Sequence, residues 1–527
     1  MKPNRALLFW TLTTFLFIGG VTAQEKSEKL GQVNFPVSCN AAAQMEFSRA
    51  VTLLHNFVFG AATEAFTAIT AADPGCAMGY WGIAMTLLSN PLSAIPGPPI
   101  LQKGWAAVEQ AKSVGATTER EREYIAAIEA FYKDWDRLDH PARALAYAQA
   151  MERVYLRYPE DQEAAAFYAL ALNAIAPPDD KTYTNQLKAA TILEKVLAKE
   201  PDHPGALHYL IHSYDYPTLA TRGGPAARRY ASVAASAPHA LHMPSHIFSM
   251  LGLWQDSIQS NRASSAKTKE LGGGPPLHSM DFLMHAYLQG AQDLEAKRVL
   301  DERNAIQRFE APRITIETAH VAIAARYALE RRAWADAASL EPRESRYPYA
   351  EAITHFARAI GAVRGGHPSH AQPEVNKLQS LRDVLIQSKQ SYWAEQTEIL
   401  WKAASAWLAH AEGKDPEALK LMRSAADLED ASGKHVAMEN PLWPMRELLG
   451  ELLLKLKQPA QALREFEASL KAAPDRFHGL YGAGRAAELS GDREKARSYY
   501  VKLIEVCEKA DTERPELKHA KSFMASR

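Results

Sequence analysis

The stretch GELLLKLKQPAQALREFEASLKAAPDRFHGLYGAGRAAELSGDREKARSYY, Gly450 to Tyr500, decides the fold. Gly450, Ala462 and Phe466 return as Gly484, Ala496 and Tyr500, and each offset is 34 (484 − 450, 496 − 462, 500 − 466). A period of that size is one helical hairpin that cannot bury its apolar face alone and must stack on its neighbours. The residue types carry the packing. A small residue on the first helix admits the second, an Ala on the second meets it, and an aromatic one turn later fills the space beyond.

The second-helix pattern recurs upstream. Ala462, Phe466 and Pro474 have spacings of 4 and 8, and so do Ala62, Phe66 and Pro74; Ala189, Leu193 and Pro201; and Ala226, Tyr230 and Pro238. The proline closes one hairpin, because it cannot continue a helical ladder. On these residues the chain resembles the tetratricopeptide-repeat (TPR) family, in degenerate form over most of its length. The resemblance implies an all-α, TPR-type solenoid, a right-handed superhelix of hairpins whose first helices line a concave groove. A closer likeness, on HPGALHYLIHSYDYP, APHALHMPSHIF and the Gly450 to Tyr500 repeats, is to exported bacterial TPR proteins without an assigned activity; it implies no mechanism.

Between these anchors the text stays helical, as in EREREYIAAIEAFYKDW (119–135), and no run alternates long enough for a strand. Pro and Gly mark loops at Asn90 to Pro99, Pro177 to Lys181, Thr221 to Pro225, Gly272 to Pro276 and Gly365 to Pro368. Such spacing predicts ~10–12 hairpins in one continuous array. The chain has 527 residues, 47% of them hydrophobic, too many for a single compact core. Lys+Arg of 60 against Asp+Glu of 61 gives a net charge of -1, which offers no pull on a phosphate backbone and argues against a nucleic-acid partner.

The N-terminus has the form of a secretory signal: Lys2 and Arg5, the apolar ALLFWTLTTFLFIGG, then Val21-Thr22-Ala23, with cleavage expected before Gln24. The apolar run is short of the ~20 residues of a spanning helix, so a periplasmic or secreted protein with no membrane span after cleavage is expected. The chain thus divides into 1–23, signal; 24–440, a degenerate array with His-rich hairpins at about 203–290; and 441–527, regular repeats and a tail. Three cysteines occur without a CxxC. Cys39 and Cys76, about one hairpin apart, can pair in an oxidising compartment, or be two buried thiols.

Eighteen histidines occur, and those of the middle are periodic. His239, His242 and His246 step by 3 and 4, as do His278, Asp281 and His285, 39 residues on; His208 and His212 precede His242 and His246 by 34. Residues three and four apart share a helix face, and equivalent helices of neighbouring repeats pack 8–10 Å apart, roughly. The expected result is one stripe, His208/His212, His242/His246 and Asp281/His285, with His239 and His278 a turn earlier. Pro244 is expected to start its helix late and leave His239 and His242 on the entering loop. By the TPR resemblance the stripe faces the groove.

Two functions fit. The first is an extracytoplasmic scaffold binding a protein, peptide or small ligand on the concave face, since repeat arrays build such surfaces and imply no reaction. The alternative is a metal-binding protein or metalloenzyme, with His208, His212, His239, His242, His246, His278, Asp281 and His285 as ligands for Zn, Cu or Fe. Asp215, three residues after His212, would orient that histidine from behind. Asp215 and Glu317 are candidates for a general base beside a metal-bound water. His55, among Leu54, Phe57 and Phe59, reads as a satisfied core histidine. No HExxH, GxSxG or GxxxxGK[ST] occurs. The string Gly482, Gly484, Ala487 lies in a repeat helix and reads as close packing, not a dinucleotide fingerprint.

Overall fold

The computed structural model describes residues 28–306, 313–435, 438, 439 and 441–526, so the signal segment 1–23 lies outside the described residues. The described residues are α-helices joined by short turns, with one 3-10 turn at Pro368–His370 and no strand. Successive helices pair as hairpins, from Ala41–His55 with Phe59–Ala72 to Phe477–Leu489 with Arg493–Val506, and Pro515–Ala525 closes the array. This is an all-α, TPR-type solenoid. Among the described residues no helix is long and apolar enough to cross a membrane.

The repeat residues pack as their types require. A Cβ placed on Gly450 would lie 2.8 Å from the Phe466 ring, and one on Gly482 2.2 Å from the same ring. One aromatic therefore sits on the glycine of its own hairpin and on that of the next. Tyr500 on Gly484 (2.5 Å) and Phe66 on Gly82 (2.2 Å) repeat the arrangement. Phe66, Phe466 and Tyr500 are fully buried. The glycine string at 482–484 is helix packing.

Helix ends follow local chemistry. Glu119–Tyr132 starts on a capping box, Thr118 accepting from the Glu121 amide while Glu121 reaches back. Cys39 and Cys76 form a disulfide with Cα atoms 4.9 Å apart, fixing the N-terminal segment to the second hairpin; Cys507 is free and buried.

Two local expectations fail. Thr221 to Pro225, expected as a loop, lies inside the helix Ala220–Val233. Gly223 serves packing there: a Cβ on it would meet Ile247 at 2.6 Å and Tyr214 at 3.1 Å. The segment before Pro244 is also helical. Pro238–His242 forms a short helix and Pro244–Met250 continues it through Met243, so His239 and His242 project from helix rather than loop.

The array does not leave the histidine stripe on an open groove. Its C-terminal repeats fold back on the middle hairpins. Trp254 Nε1 donates to the Asp475 carbonyl at 2.7 Å, the Phe477 amide to Gln289 Oε1 at 2.9 Å, and Lys434 Nζ to Asp215 Oδ2 at 2.8 Å. His208, His212, His242, His246 and His285 are buried, at 0–2% exposure. Only His239 and His278 keep partial exposure.

Candidate metal centre

Three helical segments carry the rings: Pro204–Tyr214, the broken helix Pro238–Met250, and Leu277–Gln289. All three are buried on nearly every side, so their polar residues must find partners within the protein. The histidines sort into two trios, His208/His212/His239 and His242/His246/His278. Within each, one ligand atom per residue lies within 4.8 Å of the others.

The hydrogen bonds fix which ring nitrogen carries the proton. His208 Nδ1 lies 2.7 Å from the His55 carbonyl, which only accepts, so Nδ1 is the protonated nitrogen. His242 Nδ1 lies 2.7 Å from Asn261 Oδ1, and Asn261 Nδ2 donates to the Ser257 carbonyl, which settles the amide orientation. His246 Nδ1 lies 2.8 Å from Asp215 Oδ2, an oxygen that also accepts from Lys434, so beside the ionised Asp215 carboxylate Nδ1 is the protonated nitrogen. In all three rings Nε2 is therefore the bare lone pair. Yet His242 Nε2 and His246 Nε2 face each other at 3.1 Å. Two lone pairs at that distance repel, and neither ring has a proton to place between them. His208 Nε2 and His239 Nε2 also stand 3.1 Å apart. Buried His212 has no hydrogen-bond partner on either nitrogen among the described residues. Nitrogens bound to one tetrahedral ion at ~2.0–2.1 Å would stand about 3.3 Å apart. The His208–His239 and His242–His246 pairs stand near that spacing, and the third ring of each trio has a ligand atom within 4.8 Å of both.

Electrostatics keeps the rings neutral. Burial pulls His208 down to about 3 and His242 down to about 4, and takes His212, His239, His246 and His278 well below the ordinary imidazole value. A neutral imidazole is the form a metal takes. Burial raises Asp215 to about 7 against the opposing pull of Lys434. Apolar walls complete the site. Phe57 lies against His208 and His239, with centroids 4.4 and 5.5 Å away; Phe282 lies against His242, His246 and His278 at 4.9, 4.6 and 5.2 Å.

The third row of the expected stripe divides. His278 joins the second trio, but Asp281 and His285 do not. Asp281 accepts from Arg326 Nε at 2.9 Å, and His285 Nε2 meets Arg476 Nη1 at 2.7 Å. The cause is position along the helix, since seven residues separate His278 from His285 by about 10 Å of rise. Asp215 orients His246 rather than His212. Glu317 accepts from Ser345 and touches neither trio.

A third group, His55/Glu163/His203, also has its ligand atoms together. It closes on its own hydrogen bonds. His203 Nδ1 accepts from the Ala206 amide, so Nε2 carries the proton and faces Glu163 Oε1 at 3.2 Å. His55 Nε2 meets Glu163 Oε2 at 2.7 Å, and its Nδ1 meets the Tyr209 hydroxyl at 2.8 Å. Burial would raise Glu163, but the two imidazoles outweigh it and hold the carboxyl below its ordinary range. His55 is thus a satisfied core residue, more deeply buried than its sequence context suggested. His203, Glu163, Asn261 and Lys434 were not singled out in the sequence; only the His203–Pro204 helix start hints at one of them.

No family model matches the chain, and no curated protein matches it. Solved structures do, at low identity. The human IFIT1 dimer with m7Gppp-AAAA is 12% identical with a TM-score of 0.37, over 82% of this chain and 90% of that one. The APC/C hetero-tetramer Cut9-Hcn1 is 10% identical with a TM-score of 0.26, over 91% and 96%. Naa15/Naa10 bound to HypK-THB is 11% identical with a TM-score of 0.24, over 92% and 72%.

Proposed function

We propose that this protein is an exported metal-binding TPR protein whose ions are held by His208, His212 and His239 and by His242, His246 and His278. The observation that carries this is the 3.1 Å approach of His242 Nε2 to His246 Nε2, with both Nδ1 protons committed elsewhere. A hydrogen-bonded pair would need one of those protons; a shared cation needs neither. Zn, Cu and Fe all accept imidazole. Binding to a protein or peptide is the general use of a repeat surface. The stripe that would have served it is buried, and burial suits a metal site better than a docking groove. The amino-terminal signal and the Cys39–Cys76 disulfide support an oxidising compartment outside the cytoplasm.

The test is metal analysis of protein purified without chelator or nickel resin, then reloaded. Stoichiometric metal in the wild type, lost in His242→Ala/His246→Ala with helical circular dichroism intact, is the expected outcome. Negligible metal after reloading with Zn, Cu and Fe would sink the assignment.

A further inference from the structure

We infer that a pocket between the helices Asp293–Asn304 and Ile314–Glu330 binds a small organic monoanion, a carboxylate on an apolar body, with Arg303 as its anchor. None of the trio histidines lines this pocket, and the inference does not rest on the metal-binding reading.

An irregularity of the array makes the space. The hairpin that begins with Ile314–Glu330 has a second helix of only five residues, Trp334–Ala338. The corresponding helices on either side, Asp293–Asn304 and Ala371–Gln387, have twelve and seventeen. From Ser339 to Tyr347 the chain runs without helix. A cavity of about 500 Å³ opens where the short helix stops. Small-ligand pockets are of that order, ~300–1,000 Å³, with apolar walls and a few polar groups.

Arg303 stands in this cavity half-buried and without a carboxylate partner among the described residues. Its Nε donates to the His320 carbonyl at 2.8 Å, its Nη1 to Asn304 Oδ1 at 2.8 Å and its Nη2 to His320 Nδ1 at 3.1 Å. All three acceptors are uncharged. A guanidinium has five N–H donors, so one is left on each terminal nitrogen, and a carboxylate can take both. A charge taken out of water without a counterion is costly.

The other charged groups of the cavity sharpen the choice of ligand. Arg343 brings a second guanidinium, and Lys297 is already paired with Asp301 on its own helix. Asp336 and Glu341 also line the cavity, but both are exposed and neither acts on Arg303. Burial and Arg343 weigh on its guanidinium and take it down to about 10. His320, accepting at Nδ1, stays neutral, since burial and the two arginines pull it down to about 3. One bound negative charge would offset the two guanidiniums, while the two exposed carboxylates disfavour a multiply charged ion such as phosphate. Leu300, Val321, Ala324, Tyr327 and Leu340 supply the wall for the apolar body.

The test is calorimetric titration of the full chain with octanoate, beside octanamide and inorganic phosphate. We expect one saturable octanoate site per chain and no displacement by phosphate at equal concentration. Octanamide, which brings no charge to Arg303, should bind ~10-fold or more weakly. Arg303→Gln should weaken octanoate by a similar factor and leave octanamide unchanged. Ala324→Trp, which fills the cavity and keeps its charges, should abolish both. Arg298→Gln, on the same helix but exposed and paired with Glu295, should change nothing. His242→Ala/His246→Ala should keep octanoate binding, which separates this site from a carboxylate held by a metal. No saturable octanoate site, equal affinity for octanoate and octanamide, wild-type binding in a folded Arg303→Gln or in Ala324→Trp, or loss of binding in the double histidine variant would overturn the inference. Displacement by phosphate would overturn the carboxylate assignment and leave a general anion site. Should Arg303→Gln not fold, the octanamide comparison and Ala324→Trp decide.

Discussion

The six-histidine layer, four of whose rings are buried, and the fully buried His55–Glu163–His203 group both gather imidazoles closely. They differ in bookkeeping of protons. In the Glu163 group each nitrogen facing the carboxylate carries a hydrogen and each remaining nitrogen has a donor. In the larger layer the Nδ1 protons of His208, His242 and His246 point outward, to the His55 carbonyl, Asn261 and Asp215, and the Nε2 atoms of His242 and His246 face each other. Proximity of histidines alone does not identify a metal site. The direction of the second nitrogen separates the two groups.

That contrast can be broken most sharply by paired substitutions. His242→Ala/His246→Ala should remove all metal from the second trio while the fold survives, read by metal analysis beside circular dichroism. His203→Ala should do the reverse. It leaves Glu163 buried with one partner fewer, so denaturant unfolding should show a loss of ~3–5 kcal/mol with metal content unchanged. If His203→Ala also lost metal, the two groups would be one system.

A smaller effect separates the histidine layer from ordinary repeat packing. Gly482→Leu drives a side chain into the Phe466 ring, already 2.2 Å from an added Cβ. Overpacking of this kind costs about 1–3 kcal/mol, and metal content should not change.

The smallest effect is with pH. Glu163 titrates below its ordinary value when folded. Its stabilisation is fully present above the unfolded carboxyl value of about 4.3 and is lost as pH falls toward the lower folded value. Arg332 and Arg364 likewise outweigh burial and hold Glu451 at about 2. Urea midpoints measured from pH 5 to pH 3 should fall less steeply in Glu163→Gln than in the wild type. An unchanged slope would mean that Glu163 is not an ionised partner of the two imidazoles.

Legible in the sequence were the glycine–aromatic pairs, because each is made within a hairpin or with the next one. The six histidines were legible for the same reason: offsets of 34 and steps of 3 and 4 are local. What decides between packing and ligation was not legible. Asn261 is reached across 19 residues, Asp215 lies 31 from His246, and Lys434 returns across 219. Nor could spacing show that His278 rather than His285 stands level with His242. The short helix Pro238–His242 shifts the register of the middle row, and a repeat offset of 39 cannot report a shift of one turn. Thr221 to Pro225 failed for another reason: glycine and proline usually punctuate loops, and here Gly223 makes room for Ile247.

The return of the C-terminal repeats has a consequence for how the protein ages and is cut. In an array whose units touch only their neighbours, trimming the last repeat is a local injury. Here Arg476 holds Glu330, Glu447 and His285, and Arg514 holds Asp293. A protease that cut the half-buried stretch at Ser432 and Gly433 would break the covalent link between the histidines and the repeats that cover them, including the lysine that steadies Asp215. The far end of the chain is the door of its middle.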